Sequence, residues 1–97
     1  MRDTINRLIK FRDDRNWKKY HTGEALSRAL MVEAGERNEL FLWGAKPPRE
    51  YLADEIADCL IYALNLCIAE GFDPEEIINA KIDKNAQKYP APPLTTP

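Results

Sequence analysis

The stretch ALMVEAGERNELFLWG, residues 29–44, decides how this chain folds. Counted from Leu26, the residues Leu26, Ala29, Glu33, Glu36, Leu40 and Trp43 recur at steps of three and four. Residues so spaced share the face that an α-helix turns toward its neighbours. Two of those places hold glutamate where packing alone would ask for leucine. A second stretch, YLADEIADCLIYALNLCIAEG at 51–71, repeats the pattern. Its Ile56, Cys59, Leu60, Ala63, Leu64 and Cys67 make an apolar stripe, and Ile61, Leu66 and Ile68 carry that surface further round the helix. Beside the stripe, Glu55, Asp58 and Tyr62 form their own row at i, i+3 and i+7. A helix this apolar is buried on more than one side, so the chain is expected to assemble as a dimer or tetramer.

Outward from these two segments, helix signals continue and strand signals are nearly absent. Thr4 suits the N-cap of a first helix carrying Ile5, Leu8, Ile9 and Phe11, with RDDRNWKKYH continuing it or looping. Thr22 suits the N-cap of the second, with Glu24 favoured by the dipole of its first turn. The second helix should run to about Trp43, where Gly44 stops it before a Pro-containing connector. A third fits 49–70, closed by Gly71. The fourth opens at DPEEI, with Asp73 as N-cap, Pro74 at the first helical position and Glu76 at the capping-box position, and fades near Tyr89. The expected architecture is an all-α antiparallel bundle of about four helices, one domain over residues 1–90, followed by a flexible Pro-rich tail at 91–97.

The 97 residues carry a net charge of -2, with 44% hydrophobic and 31% charged residues. That balance offers no broad basic field, so no nucleic acid polymer is expected as a partner. The N-terminal MRDTINRLIKF has no apolar core, so no signal peptide is expected. The longest apolar run, CLIYALNLCIA, is too short to span a bilayer, and no membrane association is expected. Cys59 and Cys67 lie about 12 Å apart along one helix, beyond disulfide reach, and two free thiols fit a cytoplasmic setting.

Four carboxylates on the seams of neighbouring helices repel one another unless a cation neutralises them. Oxygen ligands without Cys or His select a hard ion, Mg²⁺ with Mn²⁺ as its substitute, over zinc. Di-iron carboxylate bundles need Glu-x-x-His, and the single histidine, His21, stands in no such pair.

The order EAGE at 33–36, a spacer, then EIAD at 55–58 resembles the MazG-like all-α nucleoside triphosphate pyrophosphohydrolases, and among them the small dCTP pyrophosphatase type. FRDDRNWKKYHT at 11–22, ELFLWG at 39–44, LADEIADCLIYAL at 52–64 and KIDKNAQKYP at 81–90 match in the same order, so the likeness covers about residues 5–90. Gly23, Arg37 and Asn38 depart from the family's usual residues. The resemblance implies hydrolysis of a nucleoside triphosphate to the monophosphate and pyrophosphate, with Glu33, Glu36, Glu55 and Asp58 as Mg²⁺ ligands. By the same match, Trp17, Trp43 and Tyr62 wall the base pocket.

A carboxylate partly free of the metal can orient the attacking water, and Glu36 is the first choice for it, Glu39 the second. Lys81, Asn85 and Lys88 share one side of the last helix and suit phosphate contacts. His21 is placed for a ligand contact or for a hydrogen bond at a helix entry. The rival reading is a non-enzymatic helical module whose acid pairs bind a cation or a basic partner.

Overall fold

The computed structural model describes residues 1–42 and 47–93, with side chains for 1–36 and 47–93. Its described residues form four α-helices and one short 3₁₀ turn: α1 (Arg2–Asp14), the turn (Lys18–Tyr20), α2 (Gly23–Leu42), α3 (Arg49–Glu70) and α4 (Pro74–Lys88). No strand occurs among them. The all-α expectation holds.

Helix α1 starts earlier than Thr4. Met1 takes the N-cap position and accepts from the Ile5 N–H at 3.0 Å, while its ammonium pairs with Glu75 Oε1 at 3.0 Å. This tie to the start of α4 holds one more turn than the Thr4 signal indicates. At its other end, Asn16 adopts φ 58, a left-handed conformation that asparagine tolerates. The reversal brings the Trp17 N–H to the Arg12 carbonyl at 3.0 Å. The RDDRNWKKYH segment therefore both continues the helix and loops.

Thr22 caps α2 as its sequence suggests, its Oγ1 accepting from the Ala25 N–H at 3.2 Å. The predicted stop at Trp43 and Gly44 lies outside the described residues. Gly23 lies against the end of α3, where an added Cβ would collide with the Glu70 carboxylate. The two helices thus run antiparallel in close approach. Gly71 closes α3 at φ 75, with the Phe72 N–H bonded to the Cys67 carbonyl at 2.9 Å, a conformation that costs glycine least. Asp73 caps α4 by accepting from the N–H groups of Glu75 and Glu76.

Helix α3 is the shared element, packed along α2 and, less extensively, against α1. The core so formed is thin. Among the described residues only Leu26, at 3% exposure, and Pro74 are buried apolar side chains. With about 100° of turn per residue, Ala53, Ile56, Ala57, Leu60 and Leu64 fall on the side of α3 away from α1 and α2. Ile56 and Leu60 there remain 47% and 57% exposed. On α4 every residue after Pro74 is exposed, Ile77, Ile78 and Ile82 among them. No helix among the described residues is long and apolar enough to cross a membrane, and Cys59 and Cys67 are free thiols.

Candidate active site

Three of the four acids meet where α2 and α3 run side by side. Glu33, Glu55 and Asp58 each offer a carboxylate oxygen, and these lie within 4.8 Å of one another. Glu33 and Glu55 are half-buried and Asp58 is exposed, so the cluster sits at the edge of the helix contact. Each of Glu33, Glu36 and Glu55 also interacts with other groups of the chain. An all-carboxylate donor set of this width fits a hard divalent cation of the Mg²⁺ or Mn²⁺ kind. Glu36, one turn beyond Glu33 on α2, is exposed and stands outside this group. The side chain of Glu39 lies outside the described residues.

A cavity of about 410 Å³ opens between α1, the 3₁₀ turn and α3, and Asp58 belongs to its lining as well as to the carboxylate group. Leu8, Phe11, Trp17, Ile61 and Tyr62 give it apolar and aromatic walls, and Arg12, His21 and Asn65 add polar groups. Phe11 and Trp17 meet edge to face, with ring centroids 5.7 Å apart at 69°. The Arg15 guanidinium backs them, lying 3.4 Å over the Phe11 ring and donating from Nη1 to the Phe11 carbonyl at 3.0 Å. A wall fixed in this way presents a flat aromatic face with little ordering left to do on binding.

His21 enters the cavity just before α2. Burial, and after it the Arg12 guanidinium, holds its imidazole below the ordinary 6.5. The ring is therefore neutral at pH 7 and offers one donor and one acceptor. Its Nδ1 is buried without a hydrogen-bond partner.

Of the residues singled out in the sequence, Asp58, Trp17, His21 and Tyr62 come together around one cavity, with Glu33 and Glu55 beside it. Trp43 lies outside the described residues. Lys81, Asn85 and Lys88 are exposed on α4 and do not line this cavity, Lys88 lying with its ammonium 5.3 Å over the Tyr89 ring. Sequence reasoning passed over Arg12 and Asn65, although both were signalled. Ile5, Leu8, Ile9 and Arg12 stand at i, i+3, i+4 and i+7, as do Asp58, Ile61, Tyr62 and Asn65. A polar residue closing an apolar series at that spacing faces the same side as the series.

The whole chain can also be set beside known proteins. The pattern of the MazG-like family matches residues 18–94. The chain is 35% identical over 99 residues to dCTP pyrophosphatase 1 of Mus musculus, and 35% identical over 100 residues to dCTP pyrophosphatase 1 of Homo sapiens. These alignments cover 91% and 92% of this chain, and 58% and 59% of the two relatives. The chain thus spans under two thirds of their length. A pyrophosphatase crystal structure from Archaeoglobus fulgidus superposes with a TM-score of 0.81 at 36% identity, covering 94% of this chain and 93% of that one.

Proposed function

The chain belongs to the MazG-like family, and on that premise we propose that it is a Mg²⁺-dependent nucleoside triphosphate pyrophosphohydrolase. It converts a (d)NTP and water to the (d)NMP and pyrophosphate, with dCTP as the first substrate to test. One observation carries this reading: Asp58 is shared between the carboxylate group and the aromatic cavity. A nucleotide is built in the same way, an anionic phosphate chain joined through a sugar to a flat base.

In this reading Glu33, Glu55 and Asp58 hold the metal, with Mn²⁺ as a substitute for Mg²⁺, and Glu36 completes the set from the exposed side. The cation supplies charge neutralisation for the phosphates and for the departing pyrophosphate. Glu36, with Glu39 as the alternative, orients the attacking water and takes its proton as the new oxygen–phosphorus bond forms at the α-phosphorus. The bond from that phosphorus to the β-phosphate oxygen breaks in the same displacement. Trp17 and Tyr62 wall the base site, with Trp43 assigned to it by the family match, and His21 contributes a neutral hydrogen-bonding edge.

Lys81, Asn85 and Lys88 are exposed on α4 and do not line this cavity. Their proposed phosphate contacts are made across an assembly, a dimer or tetramer that also covers the apolar outer face of α3. The free thiols suit a cytoplasmic enzyme.

The test is product identity. Incubation with dCTP and Mg²⁺, resolved by ³¹P NMR, should yield dCMP and pyrophosphate. Release of dCDP and orthophosphate would place the attack at the wrong phosphorus. No turnover of any common nucleotide would favour a cation-binding or protein-binding module instead.

A further inference from the structure

Arg12 is a charged group in the cavity that hydrolysis does not account for. It is 8% exposed, the one buried charged residue among those described, and it lines the cavity with Trp17, His21 and Asn65. Burying a guanidinium is costly unless its N–H groups are used. Its Nε donates to Asp13 Oδ1 at 2.9 Å, and among the described residues this is the one side-chain acceptor it meets. Asp13 is its exposed neighbour in sequence, so that pair gives no reason for Arg12 to be buried.

A guanidinium carries donors only, set in a planar fork that matches two neighbouring acceptors. We infer that Arg12 is a specificity-determining residue, its Nη groups reading a nucleobase edge that presents two adjacent acceptors with no N–H between them. The inference rests on the base occupying this cavity, as proposed above. Cytosine offers such an edge at N3 and O2, and guanine at N7 and O6. Uracil and thymine set an N3–H donor between their carbonyls, which would face the Arg12 donors and leave both sides unpaired.

dCTP and dUTP form a matched pair, equal in size and different only at N3 and the adjoining 4-position, an amino group in one and a carbonyl in the other. With Mg²⁺ present, Arg12→Gln should lower kcat/KM for dCTP by about 5- to 150-fold, chiefly through KM, the range of about 1–3 kcal/mol for one bidentate base contact. It should leave kcat/KM for dUTP undiminished or raise it, because the donors that face the uracil N3–H are gone, and Arg12→Lys should fall between. Equal losses on both nucleotides, or no loss, would overturn the inference. Should Arg12→Gln fail to fold by circular dichroism, wild-type enzyme decides: 3-deaza-dCTP, which lacks the N3 acceptor, should be used at least about tenfold less well than dCTP, and equal use overturns the role. Absence of all turnover would defeat the hydrolase reading alone. Tryptophan-fluorescence titration with dCMP and dUMP then separates the two: tighter binding of dCMP, lost in Arg12→Gln and reduced in Arg12→Lys, sustains Arg12 as the reader, and equal or undetectable binding overturns it.

Discussion

Replacing Leu60 with glutamate should take the proposed dimer or tetramer apart. A single chain exposes 8241 Å² and has a radius of gyration of 17.1 Å. A compact monomer of 11.2 kDa is expected to expose about 5,700 Å², and one of 97 residues to have a radius near 12.5 Å. The surplus is about 2,500 Å² per chain, of the size that obligate interfaces remove. Leu60 stands at the centre of the uncovered face of α3, between Ile56 and Leu64. Losing its apolar burial costs about 1.5–3 kcal/mol in each chain, hence about 3–6 kcal/mol for a symmetric pair, before the cost of desolvating two carboxylates. Association should weaken by at least two to four orders of magnitude, at about 1.4 kcal/mol per decade. Light scattering coupled to gel filtration should give wild type at two or four times 11.2 kDa and Leu60→Glu at the single-chain mass with reduced activity. Wild type running as a fully active single chain at micromolar concentration would refute the argument, as would a variant of unchanged mass and melting temperature.

Three other outcomes follow from the site. Trp17 is 43% exposed and stands edge to face with Phe11, so Trp17→Ala should raise KM by about 5- to 150-fold at near-constant kcat, the worth of one stacked base; a lower melting temperature with unchanged KM would assign it to packing instead. His21 is held below its ordinary 6.5, so below that pH the unfolded chain binds more protons than the folded one, and stability falls as pH drops from about 6.5 through the folded value. His21→Gln should flatten that limb of melting temperature against pH, and identical limbs in both proteins would contradict the assignment. Mg²⁺ at about 100 times its Kd should stabilise wild type by about 2.7 kcal/mol, a rise of roughly 10–20 °C in melting temperature over EDTA; Glu33→Gln should lose most of that rise, and an unchanged rise would remove Glu33 from the metal site.

Most of this architecture was legible because the helices announce themselves locally. Asp73 and Pro74 start α4, Gly71 ends α3, and Thr22 starts α2, each through chemistry confined to one turn. The start of α1 was misplaced at Thr4 because the tie between the Met1 ammonium and Glu75 spans 74 residues, which no local signal reports. The acids were conspicuous because carboxylates interrupt apolar seams, and periodicity placed Glu33, Glu55 and Asp58 on facing helices. It did not show that Glu36 is more exposed than Glu33 and Glu55. A step of three along α2 rotates a side chain away from α3 by an amount that only the packing angle decides, and the structure leaves Glu36 exposed. Arg12 escaped notice for the opposite reason. Charged residues are read as solvent-facing by default, and its place on the stripe with Ile5, Leu8 and Ile9 was the signal that should have overridden the default.

The central claim is that Glu33, Glu55 and Asp58 hold the divalent ion on which hydrolysis depends. Turnover of dCTP measured against free Mg²⁺, for wild type and for Glu55→Gln, tests it most directly. The account predicts no turnover in EDTA, saturable activation of wild type by Mg²⁺ or Mn²⁺, and a folded Glu55→Gln with no more than about a thousandth of wild-type kcat/KM at any Mg²⁺ concentration, a loss of about 4 kcal/mol. Wild-type turnover persisting in EDTA, or a Glu55→Gln variant that follows the wild-type Mg²⁺ curve, would contradict it.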